Sequence, residues 1–386
     1  MSLPPNLKQL LGRARQVIVA ESAAVLRASE SVGQKQWENP TAQTPSPLNS
    51  NQNPNTKPLM QNSWLCRSFG RLVLGLLLVS GLGTALGKEL QFAVIPKLRA
   101  PWFNRLEVGT KKAAQDLGVK TYMQAPASAD EAEQARLIQD AISRGVDAIL
   151  VVPNNAQSLE PVFAQAKQAG IAVITHESPN QKNADFDIEM INNEKFGQAA
   201  LELLAQGLGG KGDFVVYVGS LTVPAHNLWA DAGLKLAKEK YPDLKVVADR
   251  FPVSEDQNAA REKALELLRT YPNLHGFLAF GSQGGPGAAQ AVREQHVQGA
   301  VVIGTTSPNQ AAQYLDDGSM TKSILWDPGE AGYAMIWLAK QVLDKKEVTQ
   351  GMEIPTIGKI PSLQGNTITY DRPLILDKSN RKSYDF

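Results

Sequence analysis

From Leu90 onward, short apolar runs alternate with longer stretches in which apolar positions recur every three to four residues. Residues 90–96 form an apolar run of strand type, and residues 103–117 carry a helical pattern stopped by Gly118. Residues 119–123 predict a second strand, 130–144 a helix stopped by Gly145, and 148–152 a buried strand. A helix over 159–169, capped by Gly170, and a strand over 171–175 complete the round. Apolar runs of strand length bounded by glycine, with amphipathic segments between them, predict strand–helix alternation.

The pattern then restarts. Helices are predicted at 194–208, 226–241, 255–271, 286–295, 310–316 and 329–343, with strands at 213–218, 244–251, 277–280, 300–303 and 322–326. Such alternation implies parallel sheets covered on both faces. The predicted fold is α/β, with two similar doubly wound parallel-sheet lobes joined by a hinge. Lobe 1 is expected over 88–178 and lobe 2 over 179–326. The chain is expected to return to lobe 1 over 327–350, with a tail over 351–386 crossing the hinge.

The first 87 residues read differently. Residues 30–63 are rich in Asn, Pro, Gln, Ser and Thr, too polar to offset the entropy of ordering the chain. Arg67 and Arg71, an apolar run over 72–86 and the small residues Ala85 and Gly87 then have the order of a secretory signal. The run is shorter than the ~20 residues that span a bilayer. Residues 60–87 are therefore expected to be a signal peptide, and 1–59 a disordered extension or a mis-called start. The expected location is the periplasm.

Composition narrows the function. With 39 basic against 38 acidic residues, no global field draws the chain to nucleic acid. The single cysteine, Cys66, excludes an internal disulfide and precedes the apolar run, where a lipoprotein cysteine would end it. The four histidines lack metalloprotease spacing, so no metal and no cofactor is expected. No nucleophile elbow, phosphate loop or spaced carboxylate pair is present, and no enzyme is expected.

In open parallel sheets, ligands lie beyond the carboxyl ends of the strands. Lys97, Trp102, Phe103 and Asn104 follow the first predicted strand: a cation, two aromatic faces for a sugar ring and an amide for hydroxyls. Asn154 and Asn155 follow the third, and Glu177 follows the fourth as an acceptor for adjacent hydroxyls. His226 and Asn227 open a helix of the second round. Trp229 is read as core, and Asp327 stands where the chain crosses between lobes. The stretch 281–287, which contains Gln283 and Pro286, lacks dinucleotide-loop spacing and reads as a tight turn against a ligand.

The runs FAVIPKL, GVDAILVVPNN, GIAVITHES, PAHNLWA, PGAAQA, IGTTSPN and ILWD, in order along residues 92–327, resemble the ribose-binding class of periplasmic sugar-binding proteins. The likeness leans toward the autoinducer-2 and rhamnose branch of this type I periplasmic-binding-protein fold. The resemblance implies ligand contacts at Lys97, Glu177, Pro286 and Ala288. Glu177 replaces the family's Asp, and Ala225-His226 replace an Asp-Gln pair, so the ligand need not carry over. It implies an exported monomer that captures a monosaccharide or sugar-like ligand by hinge closure. Its partner would be an ABC-transporter permease, with a chemoreceptor as the alternative. An autoinducer-2 receptor is the alternative within the fold. A sugar-responsive transcription regulator is the alternative outside it, but would need an N-terminal DNA-binding motif.

Overall fold

The computed structural model describes residues 88–386 with the exception of Asn180. The expected extension over 1–59 and export signal over 60–87 lie outside the described residues.

The first round runs β1 (Gln91–Ile95), α1 (Pro101–Leu117), β2 (Lys120–Met123), α2 (Glu131–Ser143), β3 (Ala148–Val151), α3 (Ala156–Gln168), β4 (Ala172–His176) and β5 (Phe186–Glu189). Its strands pair in parallel in the order β2-β1-β3-β4-β5. The second round runs α4 (Asn193–Gly207), β6 (Gly212–Val218), α5 (Pro224–Lys240), β7 (Leu244–Val246), β8 (Phe251–Pro252) and α6 (Gln257–Thr270). It continues with β9 (Leu274–Ala279), α7 (Gly284–Glu294), β10 (Val301–Gly304), α8 (Pro308–Asp317) and β11 (Lys322–Leu325). These strands form a second parallel sheet in the order β7-β6-β9-β10-β11, with β8 also on β6.

The chain then returns. Helix α9 (Pro328–Leu343) packs on α1 in the first lobe, followed by the hairpin β12 (Glu353–Ile354) and β13 (Gly358–Lys359). β14 (Leu363–Gln364) and β15 (Thr367–Thr369) extend the first sheet beyond β5, whereas β16 (Leu374–Leu376) runs antiparallel along β11 in the second. The lobes are thus joined by three crossings, at 190–192, 326–327 and 370–373.

Three differences from the sequence reading matter. β5 belongs to the first sheet, so the first crossing follows Glu189 rather than residue 178. Its sequence, Phe-Asp-Ile-Glu, carries two acids that hide a buried strand. The strand expected over 244–251 is two short pieces, interrupted by the polar turn through Asp249. The tail beyond 351 contributes strands to both sheets.

Local chemistry sets the helix starts. Proline opens α1, α5, α8 and α9, where a missing N–H costs nothing. Side chains of Asp130, Asn155, Asn192, Asp256 and Asp327 accept first-turn N–H groups of α2, α3, α4, α6 and α9. One face of the first sheet buries Ile95, Ile149 and Val173 against Ile138 and Phe163. The other buries Phe92, Val94 and Ile174 beneath α1 and α9, in a core continuous with that of the second lobe. Each such side chain contributes roughly 1.5–3 kcal/mol.

Candidate functional site

The ends of seven strands converge where the two sheets face each other. Lys97 follows β1 and Glu177 follows β4 in the first lobe. From the second lobe come His226 at the start of α5, Glu255 after β8, Gly281 and Ser282 after β9, and Thr305 after β10. Trp326 lies on the second crossing. The chain order reverses at β1/β3 and at β6/β9, and such switch points open the crevice of doubly wound sheets.

Lys97 is the centre of the site. Its Nζ donates to Glu177 Oε2 at 2.9 Å and lies 3.1 Å from His226 Nε2. It also stands 3.2 Å from Glu255 Oε1, an ion pair whose angle is not that of a hydrogen bond. The side chains of Lys97, Glu177, His226 and Glu255 are at most 7% exposed. Backbone geometry aims them. Glu177 adopts a left-handed φ of 60°, a conformation that costs a non-glycine residue about 1–3 kcal/mol and clusters at functional sites. Gly281, at φ 117°, passes so close that an added Cβ would lie 3.1 Å from His226 Cε1. A Cβ on Gly219 would meet Glu255 Oε1 at 2.9 Å, so glycine leaves both side chains their room.

The electrostatics follow from burial. Burial alone would depress the Lys97 pKa, but Glu177 and Glu255 outweigh it and hold it above the ordinary lysine value. Burial raises Glu255, against the pull of Lys97 and with the help of Glu177. His226 is held well below the usual histidine value, first by burial and then by Lys97. Its Nδ1 accepts from the Gly219 N–H at 3.0 Å, which leaves the proton of the neutral ring on Nε2. Beneath the site, Glu189 on β5 is raised well above the carboxylate range by burial and by Asp187 beside it. The Asn193 side chain accepts from Trp229 Nε1 at 2.5 Å.

Aromatic rings wall the cavity: Trp102 and Phe103 from α1, Trp229 from α5, and Trp326. Trp326 meets Trp102 edge to face at 5.1 Å and Trp229 at 5.5 Å, while Trp229 lies against His226 at 5.1 Å. The enclosed cavity is about 10 Å³, about the space of one water molecule. Thr305 Oγ1 and Trp326 Nε1 are buried in it without hydrogen-bond partners. The lobes are closed onto this cluster. The enclosed space is too small for a ring-sized molecule.

Of the residues singled out from sequence, Lys97, Trp102, Phe103, Glu177 and His226 surround the cavity. The others do not. Asn104 is exposed and borders an outer groove with Phe386. Asn154 Nδ2 donates to the Lys97 carbonyl at 2.9 Å and so braces the backbone behind the lysine. Asn155 caps α3, and Asn227 Nδ2 donates to the carbonyls of Ser220 and Val223. Gln283 accepts from Gln310 Nε2 at 2.7 Å beside a neighbouring groove. Pro286 and Ala288 are buried within α7, and Asp327 caps α9 while pairing with Arg105. Amides and acids after a strand serve caps and backbone braces as readily as ligands.

Glu255, Ser282, Thr305, Trp326 and Trp229 line the cavity but were not read as site residues. Trp229, read as core, is fully buried and also part of the wall. Glu255 had a signal: it is an acid within a few residues of a strand's end. Its place at the head of a predicted helix masked it.

The family model of the periplasmic binding protein domain matches residues 92–347. The xylitol-binding protein of Mycolicibacterium smegmatis is 30% identical over 183 residues, 46% of this chain and 51% of that protein. The chain thus spans about half the length of that relative. The ribose import binding protein of Bacillus subtilis is 24% identical over 279 residues, 70% of this chain and 87% of that protein. Among solved structures, LsrB from Clostridium saccharobutylicum in complex with AI-2 superposes with a TM-score of 0.73 at 24% identity, covering 77% of this chain and all of that one. A solute-binding protein from Clostridium phytofermentas with bound L-rhamnose gives 0.71 at 23% identity, with 77% of this chain and 100% of that chain covered. These two likenesses concern the fold. From the matched span and the two-sheet architecture together, the chain belongs to the periplasmic binding protein domain family.

Proposed function

We propose that the protein captures a small polyhydroxylated molecule, a monosaccharide or sugar-like compound, by closing its lobes, and delivers it to an ABC-transporter permease. The observation that carries this reading is the sealed polar cluster of Lys97, Glu177, His226 and Glu255, walled by four aromatic residues. Hydroxyls suit such a site because each donates to a carboxylate and accepts from a lysine, while aromatic faces cover the C–H surface of the ring. The partnerless Thr305 Oγ1 and Trp326 Nε1 offer further acceptor and donor positions. Relatives named for xylitol, xylose and ribose support the ligand class.

The ligand bridges both lobes, binds the closed form more tightly than the open one and so shifts the population toward closure. Export to the periplasm and a binding role agree with relatives named as periplasmic and import binding proteins. The test is a thermal-shift screen with xylitol, xylose, ribose, rhamnose and autoinducer-2. A stabilising hit whose ligand is recovered unchanged supports the reading. Consumption of the ligand, or no response to any polyol, overturns it. A response to autoinducer-2 alone supports a signal receptor instead.

A further inference from the structure

Among the residues lining the cavity, Lys97 is the single cation, against the two carboxylates of Glu177 and Glu255. His226 adds no charge. Its Nδ1 accepts from Gly219, so its Nε2 carries a proton toward Lys97 Nζ at 3.1 Å, donor facing donor. The acceptors available to that proton, Glu177 Oε2 and Glu255 Oε1, are both 3.9 Å away. Glu177 has the close, aligned bond from Lys97. Glu255 Oε1 is buried and faces the cavity; its cation is the Lys97 Nζ that it shares with Glu177, 3.2 Å away and out of hydrogen-bond alignment. One carboxylate is therefore in excess within a sealed space, where an unbalanced charge is costly.

We propose that the ligand supplies the balancing charge: the site takes a small polyol bearing a protonated primary amine, an amino sugar or aminopolyol, whose ammonium is held by Glu255. This rests on the polyol reading above and narrows it. The walls agree in kind, because tryptophan rings such as those of Trp102 and Trp229 that line the cavity attract a cation as well as a C–H surface. Glu255 belongs to the second lobe and Glu177 to the first, so an ammonium between them also draws the lobes together. Sugar acids would add a third anion and are excluded.

The test is calorimetric titration of the full chain at pH 7 with sets built on one skeleton. These are galactose, galactosamine and galacturonate; glucose, glucosamine and glucuronate; and ribitol with 1-amino-1-deoxyribitol. The expected result is a skeleton on which the amine binds about tenfold or more tighter than its neutral parent, a difference of about 1.4 kcal/mol. Glu255→Gln should bring the two within about twofold, the change expected when the charge pairing is lost. A neutral parent that binds as tightly as its amine in the wild-type protein overturns the proposal and leaves the polyol reading standing. An amine preference that survives in Glu255→Gln also overturns it. If no neutral or amino compound binds, both readings fall.

Discussion

Lys97 of the first lobe and Glu255 of the second stand 3.2 Å apart in a space that solvent scarcely reaches. The lysine therefore belongs at once to its own lobe, through Glu177, and to the opposite one. Replacing it leaves two carboxylates facing each other without a cation. Lys97→Met is expected to lower stability by about 3–5 kcal/mol, the range for breaking a buried pair from one side. Adding Glu177→Gln to that variant should restore part of the loss, because it removes one stranded charge. Urea unfolding of the single and double variants checks this. A double variant less stable than Lys97→Met alone would contradict it.

His226 supplies a pH dependence of known sign. Its pKa in the folded protein lies well below the usual value, with burial the first cause and Lys97 the second. As pH falls below the unfolded value of about 6.5, the unfolded chain takes up a proton that the folded ring refuses, and stability drops. His226→Gln should flatten the stability profile between about pH 6.5 and 5. Thermal midpoints measured across that window check it.

Glu189 acts with the opposite sign. Burial, with Asp187 beside it, holds its pKa well above the carboxylate range. From about pH 4.3 upward the unfolded chain has released a proton that the folded protein still holds, so Glu189 makes stability decline as pH rises toward its folded value. Glu189→Gln removes this slope and should match or exceed the wild-type midpoint at neutral pH. A large loss of stability at pH 7 would show that the ionised acid is needed where it stands.

Asp327 has two tasks at the second crossing. It pairs with Arg105 through Oδ1 at 2.8 Å and Oδ2 at 2.6 Å, and Oδ1 accepts from the Gly329 N–H at 2.7 Å as the cap of α9. Arg105→Ala removes the partly exposed pair together with the contact of the guanidinium over the Phe386 ring, and should cost about 1 kcal/mol or less. Asp327→Ala also removes the cap and should cost about 1 kcal/mol more. Equal losses in the two variants would exclude the capping role.

Much of the fold was legible because its core strands are unbroken apolar runs. The stretches Phe-Ala-Val-Ile and Ala-Ile-Leu-Val announce themselves, and glycines mark the ends of the helices between them. β5 was illegible for the converse reason. Asp187 and Glu189 look like surface residues, yet both are buried, with Asp187 accepting from Thr175 Oγ1 at 2.7 Å. In the site, Lys97 and Glu177 could be found because each follows an apolar strand directly. Glu255 follows the two-residue β8, which no periodicity can reveal. Asn154 and Asn155 misled because an amide gives no sign of whether it faces a cleft or braces the chain behind it.

The aromatic wall has a spectroscopic consequence. Three of the chain's six tryptophans meet at the cleft: Trp102 on the first lobe, Trp229 on the second and Trp326 on the crossing between them. All three are at most 4% exposed when the lobes are together. Any separation of the lobes would bring water to indole rings that are otherwise dry and uncouple their edge-to-face contacts. The protein therefore carries its own fluorophores where the lobes meet, and its emission should report any opening or closing without an added label.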